Sequence, residues 1–516
     1  MYVGSIAARL PDKPAIVTVG VDGAEEVLTY GELDGRSTAL AKVLRSAGLK
    51  PGDAYAVMAA NHPRVSELYW AGQRSGLYYT PVNVRLSEDE IAYVLRNSHA
   101  RAVIVAPRYA ELARAALAHA PDVKLVLALD DGADGFARYE EAIAAAPEGP
   151  LSDELEGTAM IYSSGTTGRP KGIKRPQSGN APGGTVFGLP PGIESAWGLT
   201  EESVGLVPAP VYHSSGLTRL MISQSIGMTT IAMERFDALE ALRVMERHGV
   251  THSLWVATMF VRLLQLDPAE RDRFDLAAHV GATVGSGPCP AHVKERMIEW
   301  WGPIITETYG GTEGNGMTRI TSEEWLAHRG SVGKPVFGEI HVLDDDGNEL
   351  SAGDVGTIYF GGGRPFEYHD DPEQTASVFT AQGWSTLGDV GHVDADGYLF
   401  LSDRKSDMII VGGINVYPAE VEAVLLEHPG VRDVAVIGVP DEVYGEAVKA
   451  IVEPIDAAAG AGLVTELEAF CRTRLAKFKL PASFDLVDAL PRQPTGKLAK
   501  RLLRDRYRSG SAGSSI

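Results

Sequence analysis

The sequence predicts an α/β protein: a large N-terminal domain of layered α/β subdomains closed by a small β region, then a small, mobile α+β C-terminal domain. Three observations predict it. Helix-period and strand-period segments alternate from residue 29 to 130 and again from 203 to 258, the order expected when helices pack on a largely parallel sheet. From about 332 to 400 the texture shifts to short strands with Asp-Gly pairs between apolar runs, which are hairpin signals. After "LSDRKSD" a compact unit mixes both patterns, at roughly the hundred residues of an ordinary domain.

Each element has its own warrant. "TYGELDGRSTALAKVLRSAG" carries helical apolar spacing, "DAYAVMAA" reads as a strand, and "SEDEIAYVLRNS" as a second helix. The strands "AVIVAP" and "KLVLAL" follow, and "GTAMIY" is a short strand entering a glycine-rich loop. The alternation resumes with "SVGLVPAP", "TTIAME", the helix "DALEALRVMERHG" and "HSLWVAT". In the last unit "MIIVGG", "VRDVAVIGVP" and "AVKAIVEP" are strands, while "PAEVEAVLLEHPG" and "VTELEAFCRTRLA" are helices. These divisions give domains at 1–402 and 403–508, a hinge near 403–407, and a low-complexity, disordered tail at 509–516.

Composition narrows the function. Hydrophobic content of 44% and charged content of 22% are ordinary for a globular chain. A net charge of −21 argues against nucleic acid and anionic membranes as partners. An anionic ligand must be drawn in by local cations and N–H groups. Two distant cysteines, Cys289 and Cys471, imply neither a disulfide framework nor a Cys-based zinc site. The start has no long apolar core, and no apolar run approaches about 18–20 residues. The expectation is a cytoplasmic protein without an integral membrane segment.

"YSSGTTGRPKG", Tyr162 to Gly172, asks which phosphates such a loop holds. Glycines allow close approach of backbone N–H groups to an anion. Ser163, Ser164, Thr166 and Thr167 add hydroxyls, and Lys171 adds a charge. The P-loop pattern G-x-x-x-x-G-K-[ST] does not fit, because Lys171 is followed by Gly172. A small-residue surface linker is the competing reading. Four further segments bear on it. "TETYGGTEGNG" offers Tyr309 to stack on a base, Thr312 to reach a phosphate and Glu313 as a hard oxygen ligand for Mg²⁺. "WSTLGDVG" holds Asp389 in a tight turn suited to a ribose diol. "DRKSDMIIVGGINVYPAEVE" carries Arg404, and "PRQPTGKLAKR" carries Lys497. Taken singly, Tyr309 reads equally as core, Asp389 as a turn cap, and Arg404 and Lys497 as solvated charges.

The five segments in this order resemble the adenylate-forming superfamily of acyl-CoA synthetases, aryl-CoA ligases, luciferases and peptide-synthetase adenylation domains. The resemblance runs from about residue 8 to 505, far more than any one motif covers. It implies that Ser163, Ser164, Gly165, Thr166, Thr167, Gly168 and Lys171 hold the β- and γ-phosphates of ATP. It implies that Tyr309 packs on adenine, with Gly287 and Pro288 of "GSGPCP" in the other wall. Thr312 then contacts the α-phosphate, Glu313 holds Mg²⁺, and Asp389 binds the ribose with help from Arg404. Lys497 reaches the α-phosphate and the attacking carboxylate, where negative charge builds. His213 in "PAPVYHSSG" borders the acid pocket in the family, although a lone His is often structural.

The family alternates two half-reactions by rotating its C-terminal domain, and the pivot falls in "SDRKSDM". Ser406 stands where the family usually has Asp or Lys, and Leu387 where it often has Gly. After rotation Gly413 lines the pantetheine tunnel. The expected reaction is ATP-dependent adenylation of an apolar fatty or aryl acid, then transfer to coenzyme A. Candidate acid-pocket residues are Trp255, the segment after His213, Gly285–Gly287 and Gly310–Gly316, with no cationic partner evident for a second carboxylate. Alternatives are activation of another oxyanion, such as nitrite toward an arylamine, and transfer to a separate carrier protein. Homodimerisation is left open.

Overall fold

The computed structural model describes residues 2–163, 169–184, 192–404, 407–412, 414–441, 443–456, 460–493 and 498–508. Two sheets organise the first four hundred residues. One has six strands, in the spatial order Ala137–Arg138, Leu125–Ala128, Ala100–Val105, Ala54–Met58, Tyr78–Pro81, Thr158–Ala159, and every pairing is parallel. Ala54–Met58 is buried along its whole length, as a strand covered on both faces must be, and it reads as a continuous apolar run.

The second sheet has thirteen strands. Pro14–Val19, Thr229–Met233, Val204–Val207, His252–Trp255, Gly281–Val284 and Ile305–Gly310 run parallel. Direction reverses where Ile305–Gly310 meets Met317–Ile320, and the pairs beyond are antiparallel. The β region expected after residue 332 is present, and its strands continue the parallel sheet through Ser331–Phe337. Its two Asp-Gly turns share one device. Asp344 Oδ1 accepts from the N–H groups of Asp346 and Asn348 at 2.9 and 2.8 Å, and Asp394 Oδ1 from those of Asp396 and Tyr398 at 3.0 and 2.8 Å. A short carboxylate closing on its own backbone is a turn former in itself.

Helix starts follow their caps. Thr29 caps Tyr30–Ser46 in a reciprocal box with Glu32, and Ser87 caps Glu88–Asn97 with Glu90. Several helices escaped the periodicity reading, Val65–Gln73, Ser214–Ser225 and Ala291–Trp301 among them. Every residue of Val65–Gln73 is buried, and a helix enclosed on all sides has no polar stripe to reveal it.

Residues 409–508 form a separate five-stranded sheet with its own core. Ile414–Val416, Ile409–Val411, Gly445–Pro454 and Val431–Asp441 are joined by Ser483–Leu486, parallel to Gly445–Pro454. Pro418–Leu426 and Gly460–Arg472 cover it through Val421, Leu425, Leu463 and Leu467. The second helix lies four residues upstream of its expected position at both ends. Cys289 and Cys471 are both free. Among the described residues no helix is long and apolar enough to cross a membrane. The hinge residues 405–406 and the tail 509–516 lie outside the described residues.

One buried ion pair anchors the strand that leads into the candidate site. Lys294 Nζ, fully buried, meets Glu307 Oε2 at 2.8 Å and lies 4.7 Å from the Trp325 ring centroid. Removing one partner leaves an uncompensated buried charge, so Lys294→Met should cost about 3–5 kcal/mol. The double variant Lys294→Met, Glu307→Met should recover most of it. Denaturant midpoints of the two variants check this, and equal midpoints would contradict it.

Candidate active site

The glycine loop closes a hairpin. Ile161–Ser163 pairs antiparallel with Lys171–Lys174, and Ser163 stands directly opposite Lys171. The ends of the loop are therefore pinned a strand spacing apart; Ser164, Gly165, Thr166, Thr167 and Gly168 lie outside the described residues. Only glycine fits at 172, where a Cβ would meet Tyr162 Cζ at 2.8 Å. On its far side Lys171–Lys174 pairs with Glu367–Tyr368.

That pairing brings the loop to the expected metal ligand. Lys171 Nζ lies 5.0 Å from the Tyr368 ring centroid, and the Tyr368 hydroxyl donates to Glu313 Oε1 at 3.0 Å. Burial lowers the pKa of Lys171, opposed by Glu313 and Asp371. Beside Glu313, Arg175 Nη2 donates to the carbonyl of Thr312. Burial pushes Arg175 down to about 10, with Glu313 opposing, and burial plus the Arg175 charge pushes Arg364 down to about 9. Both guanidiniums remain cationic at neutral pH. Arg175 Nε, buried, has no hydrogen-bond partner. Lys171 and Arg175 thus face the Glu313 carboxylate, with Arg364 beside Arg175. Such an environment suits a polyphosphate, and a carboxylate is the kind of hard oxygen ligand that Mg²⁺ prefers. The sequence reading missed Arg175 and Arg364; the cue for Arg175 was a charge at the buried end of a strand.

The residues expected to meet the base and the ribose lie together. The Tyr309 hydroxyl donates to Asp389 Oδ2 at 2.7 Å, and Asp389 is 7% exposed. In the strand pair Ser385–Val393 with Leu399–Arg404, Asp389 stands opposite Arg404. Leu387 fits here because residue 311 is glycine: a Cβ there would meet Leu387 Cδ2 at 2.4 Å. Gly287 and Pro288 are exposed on the segment after Gly281–Val284. Ser286 adopts φ 69° and its hydroxyl donates to Ser215 Oγ at 2.9 Å. Lys497 and Gly413 lie outside the described residues.

His213 is the N-cap of Ser214–Ser225, and its Nε2 is buried without a partner. Burial, then the Arg85 charge, pushes it down to about 4, so it is neutral at physiological pH. On the same helix Arg219 Nη2 donates to Thr283 Oγ1 at 2.7 Å, and burial pushes Arg219 down to about 10. The sequence reading did not single out this buried cation. Trp255 does not line the pocket. It is fully buried against Phe236, Phe260 and Trp301, with its indole N–H on Ser253 Oγ at 2.5 Å. Side chains alternate along a strand, so Ser253 and Trp255 face away from the side that His252 and Leu254 occupy.

Comparison with known proteins agrees with this geometry. The chain belongs to the AMP-binding enzyme family: the model of that family matches residues 5–366, and that of the AMP-binding enzyme C-terminal domain matches 420–497. It is 36% identical over 488 residues, 93% of this chain and 94% of the relative, to a feruloyl-CoA synthase of Amycolatopsis sp.. It is 32% identical over 485 residues, 93% of each chain, to the long-chain-fatty-acid–CoA ligase FadD13 of Mycobacterium tuberculosis. The fold matches the o-succinylbenzoate CoA synthetase MenE of Bacillus subtilis, solved with the acyl-adenylate intermediate OSB-AMP. The TM-score is 0.82 at 29% identity, covering 98% of this chain and 97% of that one. The resemblance to adenylate-forming enzymes is borne out.

Two predictions follow from this geometry. Asp389→Ala should weaken AMP binding about 10- to 100-fold, the scale of hydrogen bonds to a charged group, and Tyr309→Phe by less; calorimetric titration with AMP checks both. Unchanged affinity in Asp389→Ala would return the residue to a turn-capping role. For His213 the folded pKa lies below the unfolded value, so protonation favours the unfolded chain. Its contribution is complete above about pH 6.5 and lost as pH falls toward 4, at up to about 1.4 kcal/mol per pH unit. His213→Gln should flatten the fall of the denaturant midpoint between pH 6.5 and 4.5.

Proposed function

We propose that this enzyme activates a carboxylic acid with ATP, releasing pyrophosphate, and transfers the acyl group to the thiol of coenzyme A. The observation that carries the proposal is the convergence of Lys171, Tyr368 and Glu313, which joins the glycine loop to the Thr312–Glu313 turn. The identities of the relatives support the same reading. In the first step an oxygen of the acid attacks the α-phosphorus; the new P–O bond forms as the bond to pyrophosphate breaks. Arg175 fixes the Thr312 carbonyl, which orients the Thr312 hydroxyl toward the α-phosphate. Asp389 and Arg404 hold the ribose, Tyr309 the base, and the loop from Ser163 to Lys171 the departing phosphates. Glu313 would hold Mg²⁺, which spreads the charge of the leaving pyrophosphate. Neutral His213 borders the entering carboxylate without adding a second charge.

In the second step the thiol attacks the acyl carbonyl and AMP leaves with the bonding electron pair. Lys497 serves only the first step, so the C-terminal unit rotates about 403–407 between the two, and Gly413 keeps the pantetheine path open. Exchange of labelled pyrophosphate into ATP, run across fatty acids, aryl acids, and nitrite with an arylamine, tests this reading. Exchange should require an organic acid, and adding coenzyme A should yield its thioester. Pyrophosphate release with nitrite alone would overturn it. Lys497→Ala should cut exchange by about 10²–10³ through loss of a positioned cation, while thioester formation from supplied acyl-adenylate survives. An equal fall in both steps would refute the rotation.

A further inference from the structure

A polar stripe runs along the helix Ser214–Ser225. Ser215, Arg219 and Ser223 recur at every fourth position of Ser214–Ser225, so they lie along one face. Ser215 Oγ meets Ser286 Oγ at 2.9 Å, beside the Gly287–Pro288 wall. Arg219 Nη2 donates to Thr283 Oγ1 at 2.7 Å. Ser223 is fully buried and its Oγ has no hydrogen-bond partner. Opposite Arg219, Thr283 and Gly281 lie on the same face of the strand Gly281–Val284. The His252 ring fills the space that a Cβ at Gly281 would take, with Cδ2 at 2.6 Å. The floor of this region is polar and its strongest group is a cation.

Arg219 lacks a countercharge. Among the described residues it makes no ion pair, and one neutral hydroxyl serves a guanidinium with five N–H donors. A cation taken from water into such a setting is costly without an opposite charge. The two walls agree on where that charge belongs. Arg219 is one helical turn beyond Ser215, about 5.4 Å along the axis. Thr283 is two residues before Gly285, about 6.6 Å along the strand. Both displacements lead away from the nucleotide wall by about the same distance.

We propose that this enzyme selects a carboxylic acid bearing a second anionic group, which Arg219 holds roughly one helical turn beyond the reacting carboxylate. The proposal rests on the acid-activation reading and names the substrate class of that same site. Arg219 is a specificity-determining residue here, with Thr283 fixing its guanidinium and Ser223 and His252 closing the polar floor.

Matched acids test it. Terephthalate against 4-methylbenzoate, and adipate against hexanoate, are titrated calorimetrically into the wild-type chain, Arg219→Met and Arg219→Lys. The wild type should bind at least one diacid tenfold or more tighter than its methyl-ended match. Arg219→Met should abolish that preference, Arg219→Lys should restore part of it, and AMP affinity should stay constant. Methyl-ended acids bound as well as their diacids in both pairs by the wild type overturn the proposal, as does a preference that survives in Arg219→Met. Should Arg219→Met lose AMP binding through misfolding, the wild-type pairs and Arg219→Lys still decide. Pyrophosphate exchange with the same acids separates the two readings. A preferred diacid that binds without supporting exchange defeats acid activation and leaves the subsite standing. Exchange with methyl-ended acids alone defeats the subsite and leaves acid activation standing.

Discussion

The turn from Gly311 to Gly316, where the parallel sheet reverses direction, is a steric constraint on which the site depends. Ile305–Gly310 is the last parallel strand and Met317–Ile320 the first antiparallel one. Between them a Cβ at Gly316 would lie 2.1 Å from Phe360 Cδ1, and one at Gly363 would lie 1.7 Å from the Asn315 carbonyl. Such contacts are beyond what a packed interior absorbs. Backbone approach this close brings the Ser385–Val393 strand, and Asp389 with it, against the Tyr309 hydroxyl. Thr312 and Glu313 sit on the same turn, so one tight packing arrangement positions together the groups proposed to meet base, ribose, phosphate and metal.

Electrostatics add a second layer. The chain carries a net charge of −21, and long-range attraction of a polyanion is not its device. Lys171 and Arg175 instead face a single carboxylate, and Arg364 lies near Arg175, at burial that lowers each of their pKa values. Charges in so sheltered a place interact more strongly than on an open surface. Binding a polyphosphate there exchanges repulsion among cations for attraction, and salt screens it little.

Much of this was legible in the sequence, for physical reasons that differ by residue. Capped, amphipathic helices such as Glu88–Asn97 announce both ends, whereas Val65–Gln73, buried all round, leaves no periodic trace. The Asp-Gly turns were readable because their chemistry is local. Tyr309, Asp389 and Glu313 could be singled out as candidates because short glycine-flanked segments recur in a recognisable order. Trp255 was misplaced because alternation along a strand reverses which side faces the site, and one residue of register decides it. Arg219 and Arg175 were passed over because an arginine gives no sign of its burial until the elements around it are assembled.

The pairing of Asp389 with Arg404 has a consequence for timing. Leu399–Arg404 is the last strand of the large sheet, so the residue opposite Asp389 is also the final rung before the C-terminal unit. On the proposed reading, in which Asp389 and Arg404 hold the ribose and the C-terminal unit rotates, affinity and orientation obey reciprocity: whichever pose strengthens the grip on the ribose is itself favoured by nucleotide, by the same free energy. Departure of AMP then acts as a reset, returning the ensemble of poses to its empty-state balance. The clock of the cycle would be set by how quickly a single strand end lets go of a sugar.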